Sequence, residues 1–225
     1  MTIDYIRQLE VFDPATHKTP VHIIGAGATG SWVALMLSKL GVNNITVWDF
    51  DKVEAHNIPN QAFKLEDIGK LKVDAVNEIG EEFANIFIKP MGVKVDGSQR
   101  LEGIVFLLTD TMKSRKEIFE KAIRYNSKVK LLIETRMGLD GGRVYTINPI
   151  MPKEVKAYEE TMYSDEESAV SACGASQSVV ATAVQIASYA VWQFLAWHNK
   201  VELENEILIS SMYPAVMTRR FDDKN

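Results

Sequence analysis

Val21-His22-Ile23-Ile24-Gly25-Ala26-Gly27-Ala28-Thr29-Gly30 is the stretch that decides the fold. A short apolar run predicts a strand over Val21–Ile24. The next six residues fit G-x-G-x-x-G, in which each glycine has a physical task. Gly25 permits a tight turn, Gly27 lets backbone approach a phosphate, and Gly30 lets strand and helix pack closely. Ser31–Leu40 follows with helical character, and Gly41 stands where a left-handed cap belongs. Ile45–Trp48 is the next apolar run, ended by Asp49. Strand, turn, helix, strand is a βαβ unit with the length of a right-handed parallel crossover. The helix start offers free N–H groups and a positive dipole end to an anion. Asp49 and Asp51 stand where an acid bonds ribose hydroxyls in such folds, which suits NAD as well as ATP.

Outward from this unit, strands and helices keep alternating. Residues 50–68 are polar and irregular, and Gly69 to about Ala84 has helical spacing. Ile86–Lys89 and Val93–Val95 read as a third strand or two short pieces, and Ile104–Thr109 as a buried strand. Ser114–Tyr125 reads as an amphipathic helix, Lys130–Glu134 and Arg143–Ile147 as strands, and residues 149–172 as an acid-rich loop. A long apolar helix over Val179–Trp197 precedes a strand at Glu206–Ser210 and a polar tail. The expected fold is α/β, a Rossmann-like doubly wound, mostly parallel sheet with C-terminal antiparallel strands. At 225 residues with 46% hydrophobic and 24% charged side chains, one compact domain is expected. The net charge of −5 speaks against a nucleic-acid partner. The N-terminus lacks a signal-peptide pattern. Thr182, Gln185, Ser188, Tyr189 and Gln193 make the apolar helix a core or interface helix rather than a membrane span. One cysteine, Cys173, suits a reducing cytoplasm and excludes a multi-cysteine zinc site.

The segment after the second strand separates the nucleotides. Asp49-Phe50-Asp51-Lys52-Val53 is followed by Asn57-Ile58-Pro59-Asn60-Gln61, and then by Asp67-Ile68-Gly69-Lys70-Leu71-Lys72. These stretches resemble the D-x-D-x-V, S-N-L-x-R-Q and D-x-G-x-x-K patterns of the ThiF/MoeB/HesA group, related to the adenylation domains of ubiquitin-activating enzymes. The resemblance extends to Arg7-Gln8, to Thr109-Asp110 with Arg115, to Arg136-Met137 and to Cys173-Gly174, and so covers about residues 5–200.

The resemblance implies adenylation of a carboxylate with ATP and Mg2+, giving an acyl-adenylate and pyrophosphate. The substrate would be the C-terminus of a small ubiquitin-like or sulfur-carrier protein. It assigns the ribose to Asp49 or Asp51, phosphate oxygens to Asn57 and Gln61, phosphate charge to Lys72 and magnesium to Asp110. Arg7 would reach a triphosphate across a homodimer interface. Cys173 would form a covalent sulfur link, or else be a small packed residue. The chain then divides into a lead (1–20), a core (21–148), a crossover-type loop (149–172) whose acidic stretch 154–168 covers the partner's tail or is simply solvated, and a C-terminal helix and strand (173–225).

The pattern also departs from the group. The arginine of N-L-x-R-Q falls at Asn60, so one triphosphate contact is missing; Lys64 or Lys70 would replace it, or the site is weakened. The asparagine of T-D-N is Thr111, Ala84-Asn85-Ile86 stands in place of an N-P pair, and both C-x-x-C pairs are absent, so no structural zinc is expected. Two other readings remain open here: a non-catalytic binding relative, and an NAD-dependent oxidoreductase, which lacks a catalytic His or Tyr-x-x-x-Lys pair.

Overall fold

The computed structural model describes residues 3–164 and 179–221. Among these, β1 (Val21–Ile24), β2 (Ile45–Trp48), β3 (Ile88–Met91), β4 (Gly103–Leu107), β5 (Val129–Met137), β6 (Gly141–Ile147), β7 (Glu206–Ser210) and β8 (Ala215–Arg219) form one sheet. The spatial order is β3-β2-β1-β4-β5-β6-β7-β8. Pairing is parallel from β3 to β5 and antiparallel from β5 to β8. Val21 sits opposite Ile45 on one side and Ile104 on the other. The chain therefore leaves β1 in one direction and returns on its other flank at β4, which makes a switch point whose crevice opens at the strands' carboxyl ends.

Helices α1 (Ala28–Leu40), α2 (Lys72–Ala84) and α5 (Val180–His198) cover one face of the sheet; α3 (Met112–Ile118), its π-helical continuation Phe119–Ile123, and α4 (Pro152–Glu160) cover the other. The alternation of strand side chains divides the core accordingly. Ile23, Ile104 and Phe106 join the first layer, whereas Ile24, Val105 and Leu107 join the second. β4, buried between both layers, accordingly reads as a continuous apolar run.

Local chemistry sets the ends of α1. It starts from Gly27, and the Ser31 hydroxyl donates to the Gly27 carbonyl at 2.8 Å. It stops at Gly41, whose φ of 86° closes a left-handed cap with its N–H on the Leu37 and Ser38 carbonyls. The lead segment lies against this cap, with Phe12 buried between Phe194 and His198 at ring separations of 5.6 and 4.8 Å.

Several boundaries differ from those expected. Ala28 and Thr29 already belong to α1. The third strand is the single piece β3. Helix α3 begins at Met112 and widens into the π-helical turn instead of continuing evenly to Tyr125. The polar tail contains β8, exposed at every position. The largest correction concerns residues 149–172. Pro152 opens α4 at its first turn, and Val155 and Tyr158, three apart, are fully buried. The Tyr158 ring packs edge-on against Phe119 at 4.8 Å. Two buried side chains anchor the helix although most of the rest of its sequence is charged.

Candidate nucleotide site

A cleft of about 1160 Å³ lies beyond the carboxyl ends of β1, β2 and β4, lined among others by Gly25, Gly27, Asp49, Asp51, Asn57, Gln61, Lys72, Thr109 and Asp110. Every cofactor-binding residue expected from sequence thus borders it except Gly30, which supports the turn from beneath.

The three glycines separate into two kinds. Gly25 has φ +96°, and a Cβ there would sit 2.6 Å from the Leu108 carbonyl oxygen; a Cβ on Gly30 would fall 1.9 Å from the Gly25 oxygen. Both are demanded by packing. A Cβ on Gly27 would meet nothing within 4 Å among the described residues. That glycine borders the cleft, where open space beside backbone N–H groups at a helix start is what an anion requires.

Asp49 fastens the turn to β2. Its carboxylate accepts from the Ala26 N–H at 2.7 Å and from the Asp51 N–H at 2.8 Å. Burial raises its carboxyl above the ordinary range, against those N–H bonds and the Lys72 charge, which pull it down. Lys72, buried at the start of α2, donates to the exposed Asp51 carboxylate at 3.1 Å. Its backbone N–H also bonds the Asp51 carbonyl at 2.9 Å.

Asn57 sits in a 3-10 turn and uses its Oδ1 to accept from the Glu54 N–H at 2.9 Å, which leaves the Nδ2 end as its donor. Gln61 Oε1 and Thr109 Oγ1 are buried and have no hydrogen-bond partner among the described residues. Buried polar atoms are normally satisfied, and these two lie on the wall of one cleft, open to a ligand's polar groups. Asp110 is exposed just past β4, before the Thr111 hydroxyl that caps α3 by accepting from the Ser114 N–H at 3.3 Å. A magnesium site commonly uses one or two carboxylates, waters and substrate phosphates, and a lone strand-end carboxylate fits that donor set.

One expectation falls differently. Lys64 pairs with Glu66 and Glu82, and Lys70 with Asp67 and Glu78; neither borders the cleft, so neither replaces the arginine missing at Asn60. Side chains of opposite charge on α2 and the preceding turn draw both lysines outward. The cleft is instead bordered by Lys52, Lys94 and Lys113 beside Lys72, residues that the motif comparison did not single out. Arg7 is exposed and outside the cleft of its own chain. Cys173 lies outside the described residues, as do Asp165, Glu166 and Glu167.

Sequence reasoning also missed a buried ion cluster behind the cleft. Glu134 on β5 receives both Arg115 and Arg136. Burial pulls the Arg136 guanidinium down, but the Glu134 carboxylate beside it outweighs this and holds it above arginine's ordinary value. Burial raises the neighbouring Tyr145 phenol to about 12.

The chain belongs to the ThiF family, whose model matches residues 14–219. It is 29% identical over 91 residues to ubiquitin-like modifier-activating enzyme 5 of Arabidopsis thaliana, a match that covers 40% of this chain and 21% of that protein. It is 30% identical over 103 residues to the NEDD8-activating enzyme E1 catalytic subunit of the same plant, covering 43% and 22%. Among solved structures, E. coli MccB with ATP superposes with a TM-score of 0.68 at 15% identity, over 91% of this chain and 64% of that one. PaaA superposes with 0.69 at 16% identity and the same coverage. At these identities the likeness shows the fold alone. The chain spans about a fifth of the length of the curated relatives it matches.

Proposed function

We propose that this chain adenylates a carboxylate with ATP, the substrate being the C-terminus of a small ubiquitin-like or sulfur-carrier protein. The supporting observation is the single cleft that joins an open glycine turn, two orphaned polar side chains, a buried lysine and a strand-end carboxylate. Family membership supports the same reading.

A substrate carboxylate oxygen attacks the α-phosphorus; the bond from that phosphorus to the bridging oxygen breaks, and pyrophosphate leaves. The Gly27 backbone and the α1 N-terminus hold phosphate, and Asp49 or Asp51 takes the ribose. Asn57 Nδ2 and the Gln61 amide, which can turn either end to a partner, position phosphate oxygens. Lys72 exchanges its bond with Asp51 for phosphate charge. Asp110 would hold magnesium, which supplies charge neutralisation at the triphosphate. Arg7, exposed and remote from its own cleft, would serve the cleft of a second copy in a homodimer.

The test is pyrophosphate release on adding a small ubiquitin-like protein, compared with the same protein amidated at its C-terminus. Release with the free carboxylate alone is expected; equal release, or formation of ADP, would contradict the reading. A non-catalytic binding relative is the second reading, favoured by Asn60, which brings no cation to the cleft it borders. Asn60→Arg separates the two, because a weakened enzyme gains rate and a binding module does not respond.

A further inference from the structure

Glu134 lies near the middle of β5 with 0% exposure. Arg136 closes on it with Nε at 2.9 and 3.1 Å from the two carboxylate oxygens and Nη2 at 2.9 Å from Oε2. Arg115 Nε stands 3.1 Å from Oε1. Burying such a group of ions contributes little net stability, since desolvation offsets the attraction. What the cluster does supply is fixed geometry between the elements it joins.

The two arginines join the carboxylate to different elements. Arg115 reaches toward the cleft, donating through Nη2 to the Thr109 carbonyl and, at 2.9 Å, to the Thr135 carbonyl. It thereby pins to β5 the turn that carries Asp110. Arg136 reaches toward α4, with Nη1 on the Thr161 carbonyl at 2.6 Å and Nη2 on the Thr161 hydroxyl at 3.0 Å. Thr161 is the C-cap of α4, and the Arg136 guanidinium lies 4.3 Å over the Tyr145 ring. Charge-assisted bonds are the strong, directional ones: Arg136 makes them to Glu134, and Arg115 meets the same carboxylate as an ion pair without a hydrogen bond through Nε, so the chain Thr161–Arg136–Glu134–Arg115–Thr109 is short and buried.

We propose that Glu134 is a positioning residue that sets Asp110 against the end of α4, so that order at one is felt at the other. The coupling stands on this geometry; its consequence for magnesium-nucleotide binding rests on the adenylation reading above.

Two variants test it. Thr161→Val keeps shape, lies outside the cleft, and removes the hydroxyl that receives Arg136. Hydrogen exchange at residues 109–114 is expected to quicken about threefold with the glycine turn unchanged; quickening confined to α4 overturns the coupling. In Glu134→Gln, affinity for Mg-ATP is expected to fall about tenfold while affinity for magnesium-free ATP holds. Equal loss of both, or loss of neither, overturns the positioning role. If Glu134→Gln does not fold, the Thr161→Val exchange pattern decides. If the unaltered protein binds no Mg-ATP, the adenylation reading fails, and the exchange experiment still decides the coupling separately.

Discussion

The parallel and antiparallel halves of the sheet follow different rules. In the parallel half β1 and β4 are buried at every position, helices cover both faces, and the strand ends open onto the cleft. In the antiparallel half β7 alternates between buried and half-exposed positions, and β8 is exposed throughout. There Glu206 ties the strands together, pairing with Arg143 at 3.1 Å and Arg219 at 2.7 Å. No residue of β7 or β8 borders the cleft. The difference shows where chemistry can reside: two-sided burial fixes the parallel strands so firmly that their ends can hold unsatisfied groups, whereas the ladder beyond β6 is platform and surface.

Glycine substitutions should separate these roles most sharply. Gly30→Ala forces its Cβ onto the Gly25 carbonyl and should destabilise by about 3 kcal/mol or prevent folding. Gly27→Ala meets none of the described residues and should keep its urea midpoint within the effect of a surface change, about 0.5 kcal/mol. It should nonetheless lower nucleotide affinity about tenfold, because it fills the space a phosphate needs. Equal losses of stability in the two variants would erase the distinction between packing glycines and ligand glycine.

Lys72→Met should come next, with Mg-ATP affinity reduced about tenfold by the loss of a charged hydrogen bond. Glu206→Gln, the matching change in the antiparallel half, should cost about 1 kcal/mol in thermal unfolding and leave Mg-ATP affinity unchanged. A fall in affinity there would show that the halves are not separable.

The smallest effect should come from acid. His22 on β1 accepts the Trp48 indole N–H through Nδ1 at 3.1 Å, which requires the neutral ring. Burial holds its pKa below the ordinary 6.5. The stabilising contribution of neutral His22 is therefore complete above the unfolded value and is lost as pH falls through the lower folded value. Urea midpoints taken downward from about pH 7 should decline, and His22→Gln, which keeps an acceptor for Trp48, should lessen the decline; an unchanged slope would exclude His22 as a source.

Much of this was legible in sequence because local geometry leaves distinct marks. The G-x-G-x-x-G turn, Gly41 and the runs Val21–Ile24 and Ile45–Trp48 gave the first βαβ unit to the residue at the strands. The cleft residues followed because strand ends in a parallel sheet converge. Helix α4 was hidden because its charged residues mask the two buried anchors, Val155 and Tyr158. Glu134 was hidden for a different reason. An acid in a strand reads as solvent-facing, and only the fold brings Arg115 from a neighbouring helix to pair with it. Lys94 and Lys113 at the cleft, unlike Lys72, were likewise invisible, since the first enters from a loop and the second from α3. No such pairing leaves a periodic trace.

The proposed magnesium-nucleotide site in the cleft is built on Asp110. Calorimetric titration of Mg-ATP and of NADH into the unaltered protein and into Asp110→Ala tests it most directly. Mg-ATP is expected to bind, Asp110→Ala to lose that binding, and NADH to give no heat; NADH binding with Mg-ATP silent, or Mg-ATP binding untouched by Asp110→Ala, would rule such a site out.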